Sequence, residues 1–331
     1  MLDERHKLQT DGKGTATPSK YWSDFCSTFD YMLGLSEEYF SKLRLHTYHL
    51  TGDNYQKYFF EKGKDALLAE WTTLIKNLPA EYVVTEPEAG IGFEFADGTI
   101  LSKDVVRYQQ VISTLFHHGI FSSLINTSGT SPLLLEIGAG YGALAHHLVR
   151  IIKKCTYIIV DLPETLIFSA PYLALLNPDK KLYLYDKNNY AQMLQPDTIH
   201  NFDFILLPNY KLDALSAVRF DLVVNMASFQ EMKKEQVADY LNFVAKTCKG
   251  TLYSWNQNVK PKNKELLNLT EMLKERFECE KISPTAHTEK FAESVRYQLK
   301  KIAAAIGLID KTRVSSPDWH YYEYICKPKP Y

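Results

Sequence analysis

The most informative segment of this 331-residue chain reads LLLEIGAGYG and occupies residues 133–142. Its apolar start predicts a buried strand, and three alternate glycines follow, Gly138, Gly140 and Gly142. Glycine allows a tight turn and a close approach of the backbone to a ligand, and the helix predicted next would present free N–H groups. The segment therefore predicts a strand, a ligand-binding turn and a helix, in that order.

A carboxylate follows this turn at an informative distance. Asp161 lies 19 positions after Gly142, at the end of the next predicted strand. A carboxylate in that place can accept hydrogens from both hydroxyls of a ribose. We therefore expect a nucleoside-containing ligand, although Asp161 could instead only cap a turn or helix.

Strands and helices alternate after residue 131. The sequence predicts strands at 132–137, 156–160, 181–185, 204–207, 220–225 and 251–255, a late antiparallel strand at 319–326, and helices at 143–153, 164–176 and 235–246. This alternation predicts an α/β fold with a parallel sheet. By contrast, residues 21–78 and 104–124 have mostly helical patterns. We expect a flexible tail at 1–20, a mainly helical cap at 21–128 and the ligand-binding domain at 129–331.

The bulk composition narrows the class of protein. The net charge is −1, so no overall field favours nucleic acid or an anionic membrane. No apolar run is long enough for a membrane span. The five cysteines are scattered, so we expect neither a disulfide framework nor a zinc site, and a reducing cytoplasm fits best.

Two classes of cofactor fit the glycine turn. Gly138, Gly140 and Ala143 satisfy the dinucleotide pattern G-x-G-x-x-G/A, so an NAD(P)-dependent oxidoreductase is one interpretation. The string E-x-G-x-G-x-G, from Glu136 to Gly142, resembles the first motif of class I S-adenosylmethionine (SAM)-dependent methyltransferases. That resemblance implies a Rossmann-like core with a seven-stranded, mostly parallel sheet and a helical N-terminal cap. It also implies SAM as methyl donor and S-adenosylhomocysteine (SAH) as product.

The methyltransferase resemblance implies a set of cofactor-binding residues: Glu136, Gly138, Ala139, Gly140, Gly142, Asp161, Leu162, Asp186, Asn225 and Met226. The residue that contacts adenine depends on which predicted strand, 181–185 or 204–207, is the third strand of the methyltransferase fold. Asp186 holds that position if the strand is 181–185, which we favour, and Asn209 follows the other candidate.

Several further segments resemble the sugar O-methyltransferase family found among bacterial surface-polysaccharide genes. They are residues 45–48 with 51–52, 86–88 with 90–92, 104 with 107–108, 160–164 and 227–232. The resemblance spans roughly residues 21–258 and implies an acceptor hydroxyl on a sugar or saccharide precursor.

Methyl transfer to a hydroxyl needs a group that removes a proton. Gln230 stands where plant-type O-methyltransferases place a catalytic histidine, and glutamine is not a base. Glu231 is the nearest titratable group, and His46 is the second candidate. Residues that suit a hydroxyl-rich or anionic acceptor are Arg44, Tyr48, Arg107, Tyr108 and Gln230.

No metal-ligand cluster is evident, because the histidine pairs at 117–118 and 146–147 are sequence neighbours that do not face one site. The sequence therefore predicts a SAM-dependent O-methyltransferase that acts on a small molecule. An NAD(P)-dependent oxidoreductase and a catalytically silent methyltransferase-like binding protein are the alternatives. The oligomeric state is left open.

Overall fold

The computed structural model describes residues 1–10, 17–51, 63–87, 90–126, 129, 131–258, 268–282 and 321–330. The α-helices are α1 (Leu2–Thr10), α2 (Lys20–Cys26), α3 (Tyr48–Thr51), α4 (Lys64–Ile75), α5 (Lys103–His117), α6 (Ile120–Ile125), α7 (Ala143–Ile152), α8 (Pro163–Leu176), α9 (Tyr190–Met193), α10 (Lys234–Thr247) and α11 (Leu269–Arg276). The strands are β1 (Phe93–Glu94), β2 (Ile100–Leu101), β3 (Leu133–Ile137), β4 (Thr156–Asp161), β5 (Leu182–Leu184), β6 (Phe204–Pro208), β7 (Phe220–Met226), β8 (Cys248–Gln257), β9 (Phe277–Lys281) and β10 (Tyr321–Pro328). Short 3-10 helices lie at Asp30–Gly34, Glu37–His46, Ala80–Tyr82, Ile199–Asn201, Asn209–Leu215 and Phe229–Glu231.

The central sheet has the strand order β5-β6-β4-β3-β7-β8-β10-β9. Strands β3 to β8 are parallel, and β10 is antiparallel to both of its neighbours. Strands β4, β5 and β6 lie on one side of β3, and β8, β9 and β10 lie on the other side of β7, so the winding reverses between β3 and β7. The predicted α/β fold with a mostly parallel, Rossmann-like sheet is confirmed. Ligands of such sheets bind at the carboxyl ends of the strands, where the order reverses.

The sheet contains eight described strands rather than the seven expected. The additional strand is β5, which pairs only with β6 and lies at the edge. Strand β6, and not β5, lies beside β4. The assignment of residues 181–185 as the third strand outward from the centre was therefore wrong, and β6 holds that position.

Two hydrophobic clusters cover the two faces of the sheet. One contains the buried side chains of α7 and α8 together with those of α5 and α6, and the other contains those of α10 and α11. Helix α5 belongs to the region expected to form a separate cap. Two buried hydrogen bonds also attach it to the sheet, because Gln110 and Thr114 both donate to the Glu323 carboxylate of β10, which also accepts from Tyr253 of β8. Residues on both sides of position 128 thus share one core.

Residues 1–20 were expected to form a flexible tail, but those that the structure describes are folded against the rest of the protein. Residues 2–10 form α1, and Arg5 makes a buried ion pair with Glu164 at the start of α8. Ser19 is also buried, at 3% exposure. The sequence pattern could not predict this order, because the stabilising contacts join residues that are more than 150 positions apart.

One pair of cysteines is bonded. Cys279 of β9 and Cys326 of β10 face each other across the strands and form a disulfide, while Cys26, Cys155 and Cys248 are buried thiols. A single disulfide is not a framework, but it removes the cysteine argument for a reducing compartment. Within the described part of the chain, no helix has the length and apolar character needed to cross a membrane.

Candidate functional site

A cavity lies where the strand order reverses, at the carboxyl ends of β3, β4 and β7. Its walls come from the glycine turn, from the loops after β4, β6 and β7, from α5, and from the N-terminal region. The described lining includes Ser19, Trp22, Leu50, Thr51, Asp104, Arg107, Tyr108, Glu136, Gly138, Ala139, Gly140, Tyr141, Asp161, Leu162, Asn209, Met226, Ala227, Ser228, Glu231, Gln236, Tyr240 and Trp255. The chain therefore brings distant segments to the edge of the sheet at which ligands of this fold bind.

The glycine turn is shaped by its neighbours. Gly138 has φ 76°, a left-handed conformation that favours glycine, and its N–H donates to the Val160 carbonyl at 2.9 Å. A Cβ at position 138 would clash with the side chain of Ser228. The turn after β3 and the loop after β7 are thus packed directly against each other, and both face the cavity.

Asp161 connects the glycine turn to β4. Its Oδ2 accepts from the Gly140 N–H at 2.9 Å, and its Oδ1 accepts from its neighbour, the Leu162 N–H, at 2.7 Å. Burial raises the pKa of Asp161 to about 6, against the lowering effect of these hydrogen bonds. The Thr165 side chain and the Ala139 N–H also contact this carboxylate, which lines the cavity.

Glu136 lies at the end of β3 and is 2% exposed. The Tyr157 hydroxyl donates to its Oε2 at 2.9 Å. Burial raises the pKa of Glu136 to about 8, so its carboxyl is mostly protonated at neutral pH. Glu136 can therefore act in the cavity as a hydrogen-bond donor as well as an acceptor.

A network of side-chain amides supports the loop after β7. Asn225 donates to the Ile137 carbonyl at 2.8 Å and accepts from the Phe229 N–H, and Asn256 donates to Asn225 Oδ1. Ala227, at the end of β7, has φ 53°. A non-glycine residue in this region of φ is strained, and such strain often marks functional sites.

Glu231 follows this loop and lines the cavity. The Trp22 indole N–H donates to Glu231 Oε2 at 3.0 Å, and the Ser19 hydroxyl donates to the Glu231 carbonyl at 2.6 Å. Two residues of the N-terminal region thus hold the backbone and the carboxylate of Glu231.

The cavity lining is acidic. Asp104, Glu136, Asp161 and Glu231 line it, and Arg107 is the only basic residue among the described lining. Arg107 Nη1 lies 3.2 Å from Asp104 Oδ1. The described charges therefore favour a cationic ligand over a polyanionic one.

No protein-family model matches the chain, and no curated protein sequence matches it either. The resemblance to sugar O-methyltransferases is therefore not confirmed. Similar solved structures include phosphoethanolamine N-methyltransferase 2 of Haemonchus contortus, in complexes with SAH and with SAM, and a TehB-like SAM-dependent methyltransferase of Corynebacterium glutamicum.

The likeness to these structures is distant. The SAH complex is 16% identical over 68% of this chain and 59% of that one, with a TM-score of 0.36. The SAM complex is 12% identical over 84% and 60%, with a TM-score of 0.38. The Corynebacterium glutamicum structure is 12% identical over 67% and 97%, with a TM-score of 0.35. This chain thus spans about three fifths of the Haemonchus contortus structures.

Most of the predicted cofactor residues meet at the cavity. Those that line it are Glu136, Gly138, Ala139, Gly140, Asp161, Leu162 and Met226. Gly142 and Asn225 instead support the site from behind: Gly142 is the N-cap of α7 and packs against Leu173, and Asn225 is fully buried below the loop after β7.

Asp186 is not part of the cavity. It is exposed and accepts hydrogen bonds from the backbone and side chain of Asn188. Asn209, which follows β6, lines the cavity and is 4% exposed. The choice of Asp186 over Asn209 was therefore wrong, because β5 is an edge strand and ends away from the strand crossover.

Some of the predicted catalytic and acceptor-binding residues line the cavity, and others do not. Glu231, Arg107 and Tyr108 line the cavity. His46 accepts or donates a hydrogen bond with the Tyr31 hydroxyl at 2.8 Å, outside the described lining, and Tyr48 is 47% exposed. The structure therefore does not bring His46 and Tyr48 to the cavity.

The side chains of Arg44 and Gln230 are bound to other protein groups. Arg44 is 1% exposed and is paired with Glu86 at 2.8 Å and Asp104 at 3.2 Å. Gln230 accepts from the Gln257 N–H at 2.7 Å and donates to the Tyr321 hydroxyl. Neither side chain is among the described lining of the cavity, so their predicted contact with an acceptor is not supported.

The histidines at 146–147 are also buried outside the cavity. Burial lowers the pKa of His146 to about 4, and His146 is hydrogen-bonded to Asn177 at 3.0 Å. Among the residues whose structure is described, no group of three or more His, Cys, Asp and Glu side chains is arranged to hold a metal.

Sequence reasoning missed the wall formed by Ser19, Trp22, Gln236, Tyr240 and Trp255. Trp255 and Tyr240 lie in a predicted strand and helix, where an aromatic residue is normally assigned to the core. Ser19 and Trp22 border a polar stretch without periodicity. Only Trp22, a large aromatic residue next to that stretch, offered a local signal.

Proposed function

We propose that the protein is a SAM-dependent methyltransferase. The observation that carries the proposal is the meeting, in one acidic cavity, of the glycine turn at 138–140 and the Asp161 carboxylate. A ribose fits beside such a carboxylate, and the glycine turn leaves room for the amino-acid part of the cofactor.

The charge of the cavity favours SAM over a dinucleotide. NAD(P) carries a pyrophosphate, whose two negative charges need amide donors or cations. Of the four carboxyl groups in the described lining, Asp104 is paired with Arg44 and Arg107, and Glu136 is mostly protonated. Asp161 and Glu231 remain to supply negative charge. SAM instead carries a sulfonium and an ammonium group, and both are stabilised by nearby carboxylates.

The residues of the cavity fit this cofactor. Asp161 would accept from the ribose hydroxyls, and Asn209, which is buried and lines the cavity after β6, would contact the adenine. Gly138, Ala139 and Met226 would surround the methionine part. When bound, SAM supplies a methyl group that is activated by the positive sulfur. The chain contributes orientation, exclusion of water and removal of a proton.

The acceptor is proposed to be a small molecule with a hydroxyl group, such as a sugar or saccharide precursor. Glu231 is the proposed base, since it lines the cavity and its carboxylate is held by the Trp22 indole at 3.0 Å. Tyr108 and Arg107 line the same cavity and would contact acceptor hydroxyls. The saccharide assignment rests on the sequence resemblance alone.

The cofactor assignment is tested by calorimetric titration of the purified protein with SAM, SAH and NADH. Micromolar binding of SAM and SAH without binding of NADH is the expected result. Binding of NADH without binding of SAM would overturn the proposal in favour of an oxidoreductase.

The reaction is tested by transfer of a labelled methyl group from SAM to a panel of sugars, nucleotide sugars, phenols and amines. Turnover with a hydroxyl compound supports the proposal, and turnover confined to amines contradicts O-methylation. If SAH binds but no compound of a broad panel is methylated, a silent binding protein is favoured.

A further inference from the structure

The first 26 residues contribute to the candidate site in a way that the sequence did not indicate. We use the name N-terminal segment for residues 1–10 and 17–26. Its contacts reach the loops after β4, β6 and β7. These loops follow Asp161 at the end of β4, Pro208 at the end of β6 and Met226 at the end of β7, and Asp161, Asn209 and Met226 line the cavity.

The first part of the segment, α1, lies against the loops after β4 and β6. Arg5 is ion-paired with Glu164, three residues after Asp161, and the two side chains are only 6% and 2% exposed. Glu4 is ion-paired with Lys211 at 2.7 Å and accepts from the Tyr185 hydroxyl. These contacts join α1 to both sides of the proposed adenosine position.

The second part, residues 17–26, crosses the loop after β7. The Gln236 amide donates to the Thr17 carbonyl at 2.7 Å, the Ser19 hydroxyl donates to the Glu231 carbonyl, and the Trp22 indole donates to the Glu231 carboxylate. Pro18, Ser19 and Trp22 line the cavity. The segment therefore forms a wall of the site, rather than merely packing near it.

The segment is held on the three loops by the polar contacts described above, and Met1, Trp22 and Phe25 also pack against the hydrophobic clusters. Helix α1 has nine residues, and an isolated helix of that length is marginal in water. Its position is set by contacts with the loops, so it can separate from them at a much lower cost than global unfolding.

We propose that the N-terminal segment is a lid of the cofactor site, and that its release from the three loops limits the rate at which SAH dissociates. This inference rests on the proposed function, since it takes the cavity as the SAH site. It assigns two tasks to one segment: retention of the cofactor through α1, and placement of the Glu231 carboxylate through Trp22.

The test is a stopped-flow measurement of SAH dissociation from the full-length protein. Trp22 and Trp255 line the cavity and provide a fluorescence signal. Arg5→Met removes the buried ion pair and is expected to accelerate SAH dissociation by about ten-fold or more. Lys7→Met alters an exposed cation on the same helix and is expected to leave the rate within about two-fold.

A second pair of variants does not change any charge. Ser19→Ala removes the hydrogen bond to the Glu231 carbonyl, and we expect about five-fold faster dissociation. Ser23→Ala removes a comparable bond to the Lys20 carbonyl in the same helix, which does not reach the loops. It should leave the dissociation rate unchanged.

The outcomes are distinct. If wild-type protein binds SAH and neither Arg5→Met nor Ser19→Ala accelerates dissociation, the lid is refuted and the proposed function stands. If wild-type protein does not bind SAH, both proposals fail. Should Arg5→Met not fold, because Glu164 would remain buried without its partner, Ser19→Ala and the milder Glu4→Gln decide the question.

Discussion

The backbone N–H of Gly140 lies 2.9 Å from Asp161 Oδ2 and donates a hydrogen bond to it. Gly140 belongs to the turn after β3, and Asp161 ends the neighbouring strand β4. One carboxylate thus fixes the turn and also faces the cavity. Its removal is expected to affect both the shape of the turn and the binding of a ligand.

Asp161→Asn is expected to weaken SAH binding by about ten- to a hundred-fold. The amide keeps one acceptor oxygen, whereas the carboxylate serves two backbone donors and would serve the ribose as well. Isothermal titration measures the change. Asp203→Asn is the control, because Asp203 also accepts from a backbone N–H, that of Lys181, but lies outside the described lining. Equal loss in both variants would contradict the assignment.

The binding of SAH is expected to depend on pH. The pKa of Asp161 in the free protein is about 6, and ribose donors favour its ionised form, so SAH binding lowers that pKa and releases a proton. The affinity for SAH therefore rises by at most about ten-fold per pH unit as the pH increases from 5 to 7, and then levels off. The titratable groups whose charges interact with Asp161 include Glu136, whose pKa is about 8, Cys26 and Tyr240. Titrations in buffers of different ionisation enthalpy count the protons, and a slope that persists in Asp161→Asn would refute this explanation.

Glu231→Gln is expected to lower the rate of methyl transfer by about a hundred-fold or more without a comparable change in SAH affinity. Glutamine retains an oxygen that can accept from Trp22, so the fold of the loop is preserved, but it is not a base. The measurement is kcat with an acceptor found in the methyl-transfer panel. Glu235→Gln, an exposed position at the start of α10, is the matched control. Full activity of Glu231→Gln would remove Glu231 from the mechanism.

Gly138→Ala is expected to destabilise the protein and to abolish measurable SAH binding. Position 138 combines φ 76° with a Cβ that would overlap the Ser228 side chain. Gly98→Ala separates the two effects, because Gly98 has φ 83° but open space around its Cβ. The control should cost only the conformational strain, about 1–2 kcal/mol, with SAH binding retained. Chemical denaturation and titration report the two effects, and similar losses in both variants would argue against the packing of Ser228 on the turn.

Arg44→Met is expected to reduce the free energy of unfolding by about 3–5 kcal/mol, because Glu86 and Asp104 would remain buried without their partner. The variant tests a structural role for a residue that the sequence suggested as an acceptor contact. Urea denaturation gives the value. Arg219→Met is the control, since Arg219 is exposed and donates only to nearby carbonyls. A loss of less than about 1 kcal/mol for Arg44→Met would contradict the buried ion-pair network.

The core strands could be predicted because burial on both faces leaves a continuous apolar run. Strands β3, β4 and β6 are fully buried, and each was found within one or two residues. Strand β9 was missed because it lies at the sheet edge and reads FECEK, with only Phe277 fully buried. The charged residues of β9 leave no apolar run to be recognised, whereas the edge strand β5 keeps enough apolar residues to be predicted.

Contacts between segments that are distant in the chain could not be predicted from the sequence. Residues 181–185 and 204–207 are both plausible strands, and only their order in the sheet decides which one ends beside the cavity. The contacts of Arg5, Ser19 and Trp22 likewise depend on partners that local periodicity does not reveal. The glycine turn and Asp161 could be recognised because both belong to one stretch of fewer than 30 residues, so their spacing can be read from the sequence.

The placement of β10 between β8 and β9 has a consequence for synthesis of the chain. Strand β9 is made before β10, yet among the described strands it pairs only with β10, and Glu323 of β10 also holds α5 through Gln110 and Thr114. Until residues 321–328 emerge from the ribosome, β8 has an open edge and one helix lacks its carboxylate partner. Unpaired edges recruit other strands. The nascent chain is therefore expected to be most prone to aggregation while β9 has emerged from the ribosome and β10 has not.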